Sequence, residues 1–199
     1  METQTTFGKE YTYGEYFDLV KSLVAEKKST GPDQSDEIVY YTSLNLVRME
    51  RIAKTFTFTE DLLTAIQKIK QNYHFVVLTE AWCGDAAQAV PVFDYIEKES
   101  KGKIKLTLLL RDENLELMDQ YLTNGGRSIP KLIVYNELKE VVATWGPRPE
   151  VLTKHIQQLK EENKDADYTY LIEKMQLWYA KDRTLSTQKE FALLIEGLK

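Results

Sequence analysis

The residue best suited to chemistry is Cys83, the only cysteine in the 199-residue chain. It follows the apolar run Phe75–Leu78 and precedes a helix-like segment that contains Pro91. A thiol at a strand-to-helix turn lies where backbone N–H groups and the helix dipole favour the nucleophilic thiolate. A cysteine three residues further on would complete a redox pair, but Ala86 occupies that position. The sequence therefore predicts a place for thiol chemistry without an internal partner thiol.

Composition limits the classes of protein to consider. One cysteine excludes an intramolecular disulfide, and the net charge of −5 gives no electrostatic support for binding nucleic acid. The segment 1–15 has no apolar core of a signal peptide. No apolar run approaches the ~18 residues needed to cross a bilayer. We therefore expect a cytoplasmic protein with no membrane or nucleic-acid partner.

The pattern of apolar residues divides the chain into three regions, 1–59, 60–162 and 163–199. The first and last have helical spacing and are predicted to be helical extensions of a central α/β domain. Ser35 or Asp36 is expected to cap a long second helix. The spacings Thr57 to Glu60 and Thr187 to Glu190 fit capping boxes, each predicting the start of a further helix.

In the central region, the sequence pattern predicts strands that alternate with helices. Phe75–Leu78 and Ile104–Leu110 are continuous apolar runs typical of buried strands, and a helix over 85–99 joins them. This unit predicts a parallel pair with a right-handed crossover. The other predicted elements are a short helix at Leu115–Leu122, strands at Lys131–Tyr135 and Glu140–Trp145, and a helix at Val151–Leu159. Because few residues separate the last two strands, they should form an antiparallel hairpin, giving a mixed sheet flanked by helices.

Several motifs within residues 60–160 agree in spacing with one known family. They are Trp82-Cys83-Gly84 after the first buried strand, Pro91 in the following helix, Gly125 and Arg127 before Ser128-Ile129-Pro130, and Gly146 sixteen residues after Pro130. In these motifs the chain resembles the thioredoxin superfamily, and as a whole it is similar to an atypical bacterial branch of it. The resemblance implies a thioredoxin fold and a cis Ile129–Pro130 bond beside the active-site thiol.

The resemblance also implies site residues. Cys83 would be the catalytic thiol, and the substrate would contact Trp82, Asp85, Ile129, Pro130 and Gly146. Backbone groups beside a cis proline can pair with an extended peptide, which is the strand-addition mode of recognition. The expected partner is thus a protein or peptide with a disulfide or an extended segment, or a small thiol.

Three departures from the family's pattern bear on function. Ala86 replaces the resolving cysteine, so the two-thiol cycle of disulfide reduction is excluded. Val77 stands where thioredoxins carry a buried carboxylate. Asp85 replaces the usual proline, and its charge two residues from Cys83 should raise the thiol pKa. Arg127 and Lys131 are the cations considered as an offset to that charge.

These observations leave alternatives open. Cys83 is either a lone nucleophile resolved by an external thiol such as glutathione, or a partly buried filler at an inactive site. The corresponding functions are a monothiol oxidoreductase and a non-catalytic peptide-binding module, with an iron–sulfur carrier and a purely structural protein as further alternatives. No bound cofactor is expected beyond glutathione or another small thiol as co-substrate. The helical extensions could cover the sheet, extend the groove or form a dimer interface.

Other polar and aromatic residues are expected to be structural. One interpretation is that Asp85 and Gln88 hydrogen-bond the substrate. By the simpler interpretation, Asp85 favours the positive end of the helix dipole and Gln88 faces solvent. His74 and His155, the only histidines, form no Cys-His set that would bind zinc. Tyr168 and Tyr170 are expected to pack within the helical flank.

Overall fold

A five-stranded mixed sheet forms the centre of the molecule, in a computed structural model that describes residues 8–165 and 167–198. Residues 1–7, which open the segment without signal-peptide character, and residues 166 and 199 of the predicted C-terminal extension lie outside the described residues. The strands are β1 (Glu10–Tyr11), β2 (Tyr73–Thr79), β3 (Ile104–Leu110), β4 (Lys131–Tyr135) and β5 (Val141–Trp145).

The sheet has the order β1-β3-β2-β4-β5, and its pairing confirms the predicted α/β class. Strands β2 and β3 are parallel, whereas β4 runs antiparallel to both β2 and β5. The continuous apolar runs are explained by burial, since Phe75 to Leu78 in β2 and Leu108 and Leu109 in β3 have no exposed surface. The short edge strand β1 pairs antiparallel with β3 and was not predicted, because two residues carry no detectable periodicity.

Helices cover the sheet and extend beyond it. They are α1 (Tyr13–Ala25), α2 (Asp36–Thr55), α3 (Glu60–Gln67), α4 (Gly84–Glu99), α5 (Leu115–Met118), α6 (Glu150–Glu162), α7 (Tyr168–Asp182) and α8 (Leu185–Gly197). The N-terminal helix α2 packs on α4, and the C-terminal helix α8 packs on α3. The helical flanks therefore lie against the central α/β unit. None of the helices in the described ranges combines the length and apolarity needed to span a bilayer.

Both predicted capping boxes are wrong. Helix α3 is capped by Thr59, whose hydroxyl accepts from the Leu62 N–H, and not by Thr57. Thr187 is buried inside α8, which begins at Leu185. A spacing of three residues between Thr and Glu recurs by chance, so it cannot place a helix end without support from the surrounding structure.

Helix α4 is buried on almost every side, because it lies between the sheet and α2. Its buried residues run without a break from Asp85 to Asp94. This packing fixes the turn at Cys83, which joins the end of β2 to the start of α4. A second, smaller core lies between α6 and α7, formed by Leu152, Ile156, Met175 and Tyr179.

Candidate functional site

Cys83 lies at the N-cap of α4 and is only 8% exposed. Its Sγ atom donates a hydrogen bond to the carbonyl oxygen of Ile129, 3.2 Å away, and accepts from the Ala86 N–H at 3.5 Å. The Ile129–Pro130 peptide bond is cis. The thiol therefore touches the residue before Pro130, and its hydrogen already has an acceptor within the protein.

The thiol is poorly suited to ionisation. Burial, together with the nearby charge of Asp85, raises the pKa of Cys83 to about 12. The backbone N–H groups of Ala86 and Asp85 and the charge of Arg148 act in the opposite direction with smaller effect. The sequence indicated the contribution of Asp85 but not the larger contribution of burial, since exposure depends on the whole fold. At neutral pH the thiol is therefore protonated.

The side chain of Asp85 is engaged by two residues from distant parts of the chain. One oxygen accepts from Nε and Nη2 of Arg148 at 2.9 and 2.5 Å, and the other accepts from the Tyr179 hydroxyl at 2.6 Å. Asp85 is 4% exposed, and burial raises the pKa of its carboxyl despite these partners. Asp85 thus fastens α4 to α7 and to the segment before α6.

Gln88 does not face solvent, as the simpler interpretation expected, but is 3% exposed. Its side-chain oxygen accepts from Nη2 of Arg51 at 3.2 Å, and its amide group donates to Oε1 of Gln176 at 2.8 Å. Helices α2 and α7 therefore meet through Gln88 on α4. No sequence pattern indicates this contact, because the two partners of Gln88 lie 37 and 88 residues away along the chain.

The remaining predicted site residues occupy two positions. Trp82 is half-buried and stacks with the Arg111 guanidinium, whose carbon lies 5.0 Å from the ring centre. Gly146 has φ +122°, and a Cβ there would collide with the carbonyl of Pro130. Trp82, Cys83, Asp85 and Ile129 line one cleft, whereas Pro130 and Gly146 pack against each other and are not among its lining residues.

The cleft beside Cys83 has a volume of about 480 Å³. The central α/β unit supplies one wall through Trp82, Cys83 and Ile129. Helices α2 and α7 supply the other through Ile38, Tyr41, Arg48, Tyr168, Ile172, Met175 and Gln176. Two of the three roles suggested for the helical extensions are seen: α1 packs against β3 of the sheet, and α2 and α7 extend the groove. Tyr168 does not pack in a core as expected, since it is 73% exposed at the cleft.

Four residues that matter here were not among the predicted site residues: Arg48, Arg148, Gln176 and Tyr179. Arg148 follows Gly146 by two residues, so its position beside the motif was a usable signal. The cation that offsets the Asp85 charge is Arg148, whereas Arg127 pairs with Asp119 and Lys131 donates to Thr123. Within residues 8–165 and 167–198, no three or more His, Cys, Asp and Glu residues are placed to hold a metal ion.

Comparisons with known proteins agree with this architecture. A family model described as thioredoxin matches residues 31–177. Thioredoxin 1 of Nostoc is 35% identical over 80 residues, which are 38% of this chain and 72% of that protein. A thioredoxin of Synechocystis is 37% identical over 68 residues, 34% of this chain and 61% of its own length.

A solved structure extends the likeness to the helical flanks. The crystal structure of a protein of unknown function from Pseudomonas aeruginosa has a TM-score of 0.60 at 17% identity, covering 94% of this chain and 98% of that one. At this identity the likeness concerns the fold alone. The match of the family model over residues 31–177, together with the similarity to the Nostoc thioredoxin, establishes that the chain belongs to the thioredoxin family.

Proposed function

We propose that the protein is a non-catalytic binding module of thioredoxin fold that holds an extended peptide segment of another protein in the cleft beside Trp82 and Ile129. The observation that carries the proposal is the state of the Cys83 thiol, which is buried and donates its hydrogen to the Ile129 carbonyl. A nucleophilic cysteine requires an accessible thiolate. Burial and Asp85 together disfavour that form.

The chemistry of disulfide exchange argues in the same direction. A thiolate must approach a disulfide sulfur, and the mixed disulfide that forms must then be cleared by a second thiol. Ala86 cannot do so, and at 8% exposure the Cys83 sulfur offers little room for glutathione to do it from outside. The monothiol oxidoreductase is therefore the less favoured function.

The cleft has features suited to a peptide. Its volume of about 480 Å³ lies within the range of ligand sites. The half-buried ring of Trp82 offers a rigid apolar face, as aromatic residues do at the energetic centres of interfaces. Tyr41 and Tyr168 add amphipathic rings on the opposite wall. A partner that carries an extended segment fits these features best, and we propose that the protein meets it in the cytoplasm and needs no bound cofactor.

The direct test is selection of random heptapeptides displayed on phage against the immobilised protein. We expect wild type and Cys83→Ser to recover the same peptides with similar affinity, because a serine hydroxyl also donates to the Ile129 carbonyl. Trp82→Ala should weaken their binding at least about tenfold. Leu138→Ala, which truncates a residue that is 77% exposed and absent from the cleft lining, is the matched control.

The opposite pattern would favour the oxidoreductase. Turnover of a glutathione mixed disulfide that depends on Cys83, together with loss of peptide binding in Cys83→Ser, would overturn the proposal. The proposal would also be contradicted if the wild-type protein and the Trp82→Ala variant recovered the same peptides, or if the wild-type protein recovered none.

A further inference from the structure

Four arginines line the cleft, and one of them differs from the rest. Three are paired with carboxylates: Arg111 with Asp112, Arg127 with Asp119 and Arg148 with Asp85. Arg48 instead donates to the neutral side chain of Asn45 at 2.6 Å and has no carboxylate partner among the described residues. Since Arg48 is half-buried, its charge is less screened by solvent than that of an exposed side chain.

A second unpaired donor lies next to Arg48. Arg51 donates to Gln88, so the Gln88 amide group must donate to Oε1 of Gln176, and the orientation of both amides is fixed. The hydrogens of Gln176 Nε2 are thereby left without an acceptor, and this buried atom has no hydrogen-bond partner among the described residues. A buried unsatisfied donor in a native protein calls for a specific explanation.

The two donors converge at the start of α4. The position that a Cβ of Gly84 would occupy is 2.7 Å from Nε2 of Gln176 and 3.5 Å from Nη1 of Arg48. Because Gly84 has no side chain, both donors can approach the backbone of the first turn of α4. The positive end of the α4 dipole lies at the same place.

The surrounding charges favour an anion. Asp85 lies nearby, but Arg148 neutralises it in a direct ion pair. The carboxylates of Asp33 and Glu37 also line the cleft, but both residues are exposed, so solvent and salt screen them. Arg48 thus provides the uncompensated charge of the inner wall.

We infer that Arg48 and Gln176, beside Gly84, form a subsite for a carboxylate group of the bound peptide. This inference rests on the proposed function and specifies its ligand as an acidic segment or a free C-terminus. The guanidinium donates charge-assisted hydrogen bonds to the carboxylate, and the Gln176 amide adds a donor whose orientation is already fixed.

The subsite can be tested with acetate as the probe. In ¹⁵N-labelled protein, titration with acetate in place of chloride at constant ionic strength should shift the Gln176 side-chain and Gly84 backbone signals saturably. Arg48→Gln should weaken this response at least about tenfold, because a charge-assisted hydrogen bond is lost. Lys54→Gln makes the same change of charge at an exposed position of α2 and should leave it intact.

A second variant keeps the test decisive if Arg48→Gln fails to fold. Gln176→Glu retains the acceptor for Gln88 and places a carboxylate beside Arg48, so it should abolish the acetate response by occupying the subsite. Absence of a saturable shift in wild type, or an equal shift in Arg48→Gln, would overturn the inference.

Peptide binding distinguishes an acidic side chain from a free C-terminus as the source of the carboxylate. It also distinguishes failure of the subsite from failure of the proposed function. Peptides recovered by the wild-type protein would be resynthesised either with side-chain amides in place of acids or with an amidated C-terminus. One of these changes should weaken binding about tenfold to wild type and much less to Arg48→Gln. If neither change matters, the subsite is wrong while peptide binding stands. If no peptide is recovered, the proposed function fails, and the acetate titration alone decides the subsite.

Discussion

The two walls of the cleft differ in how much directed polar contacts contribute to holding them in place. The sheet wall, which we define as Cys83 and Ile129 with the adjoining Pro130 and Gly146, rests on strands β2 and β4. Residues 75–78 of β2 and 132–134 of β4 are entirely buried and apolar. Burial of apolar surface, which is strong and undirected, therefore stabilises this wall.

The helix wall, which we define as the cleft-facing sides of α2 and α7, is joined to α4 by directed polar contacts in addition to the apolar packing of α2, whose Met49 lies in the main core. Tyr179 of α7 donates to Asp85, which also accepts from Arg148 in the segment before α6. Gln88 links Arg51 of α2 to Gln176 of α7. Such contacts add little net stability but are costly to break once buried. The comparison teaches that the sheet wall preserves the family's geometry, while the helix wall determines the charge and exposure of the site.

The largest effect is expected where the helix wall meets α4. Asp85→Ala leaves the half-buried Arg148 guanidinium and the buried Tyr179 hydroxyl without their acceptor. We expect a loss of about 3 kcal/mol in the free energy of unfolding, measured with urea. Asp119→Ala, which breaks the solvent-exposed pair with Arg127, should be indistinguishable from wild type. Equal stabilities of the two variants would show that the Asp85 contacts contribute nothing.

The sheet wall should be sensitive to shape rather than charge. Gly146→Ala forces a side chain into φ +122° and against the Pro130 carbonyl, so we expect a loss of about 2 kcal/mol or more in urea unfolding. Gly102 also has a positive φ, of +88°, but has open space around it. Gly102→Ala therefore measures the backbone cost alone and should be milder. A Gly146→Ala variant no less stable than Gly102→Ala would refute the close approach.

The hydroxyl of Tyr179 tests the helix wall with a smaller change. Tyr179→Phe keeps the ring in the core between α6 and α7 and removes only the hydrogen bond to Asp85. We expect a loss of about 1–2 kcal/mol in thermal or urea unfolding. The same substitution at the exposed Tyr168 should have no measurable effect, and a similar loss there would contradict this assignment.

The smallest effect is expected for Glu80, a buried carboxyl group that follows the apolar strand β2. Glu80 is fully buried; its Oε1 accepts from the Asp112 N–H at 2.9 Å, while Oε2 has no hydrogen-bond partner among the described residues. Burial raises its pKa, so the folded state holds this proton more tightly than the unfolded chain. The resulting stability is fully present below the ordinary pKa of glutamate, about 4.3, and is lost as the pH rises through the folded-state value.

Glu80→Gln removes this titration and should flatten the dependence of stability on pH. Relative to wild type, the variant should gain stability as the pH rises from the acidic range to neutrality, in urea unfolding at matched ionic strength. A wild-type protein that instead becomes more stable than Glu80→Gln with rising pH would show that the Glu80 carboxylate is favoured in the folded state.

The sheet wall was largely predictable from sequence. Continuous apolar runs located β2 and β3, and the short gap between Tyr135 and Glu140 identified the β4–β5 hairpin. Strands and hairpins depend on residues that are close in the chain and on burial, and the pattern of apolar residues indicates both. The neighbourhood of Cys83 and Ile129 followed from the spacing of the family's motifs.

The helix wall was not predictable, because its contacts join residues far apart in the chain. Asp85 and Gln88 resemble ordinary residues of a helix N-terminus, yet their partners come from other helices and from the segment before α6. Glu190, expected to form a capping box, instead accepts from the Trp145 indole and the Glu150 N–H. A polar residue's local pattern fits several roles equally well, and only the fold selects among them.

The most direct test of the account is the ionisation of Cys83 in the folded protein. Labelling with iodoacetamide would be followed by mass spectrometry from pH 6 to 10. The reference is the urea-unfolded chain, in which the cysteine thiol has a pKa of about 8.5. The account predicts slow labelling in the folded state, with no ionisation at or below the reference value. Rapid labelling with a midpoint below that of the unfolded chain would contradict it and restore Cys83 as a nucleophile.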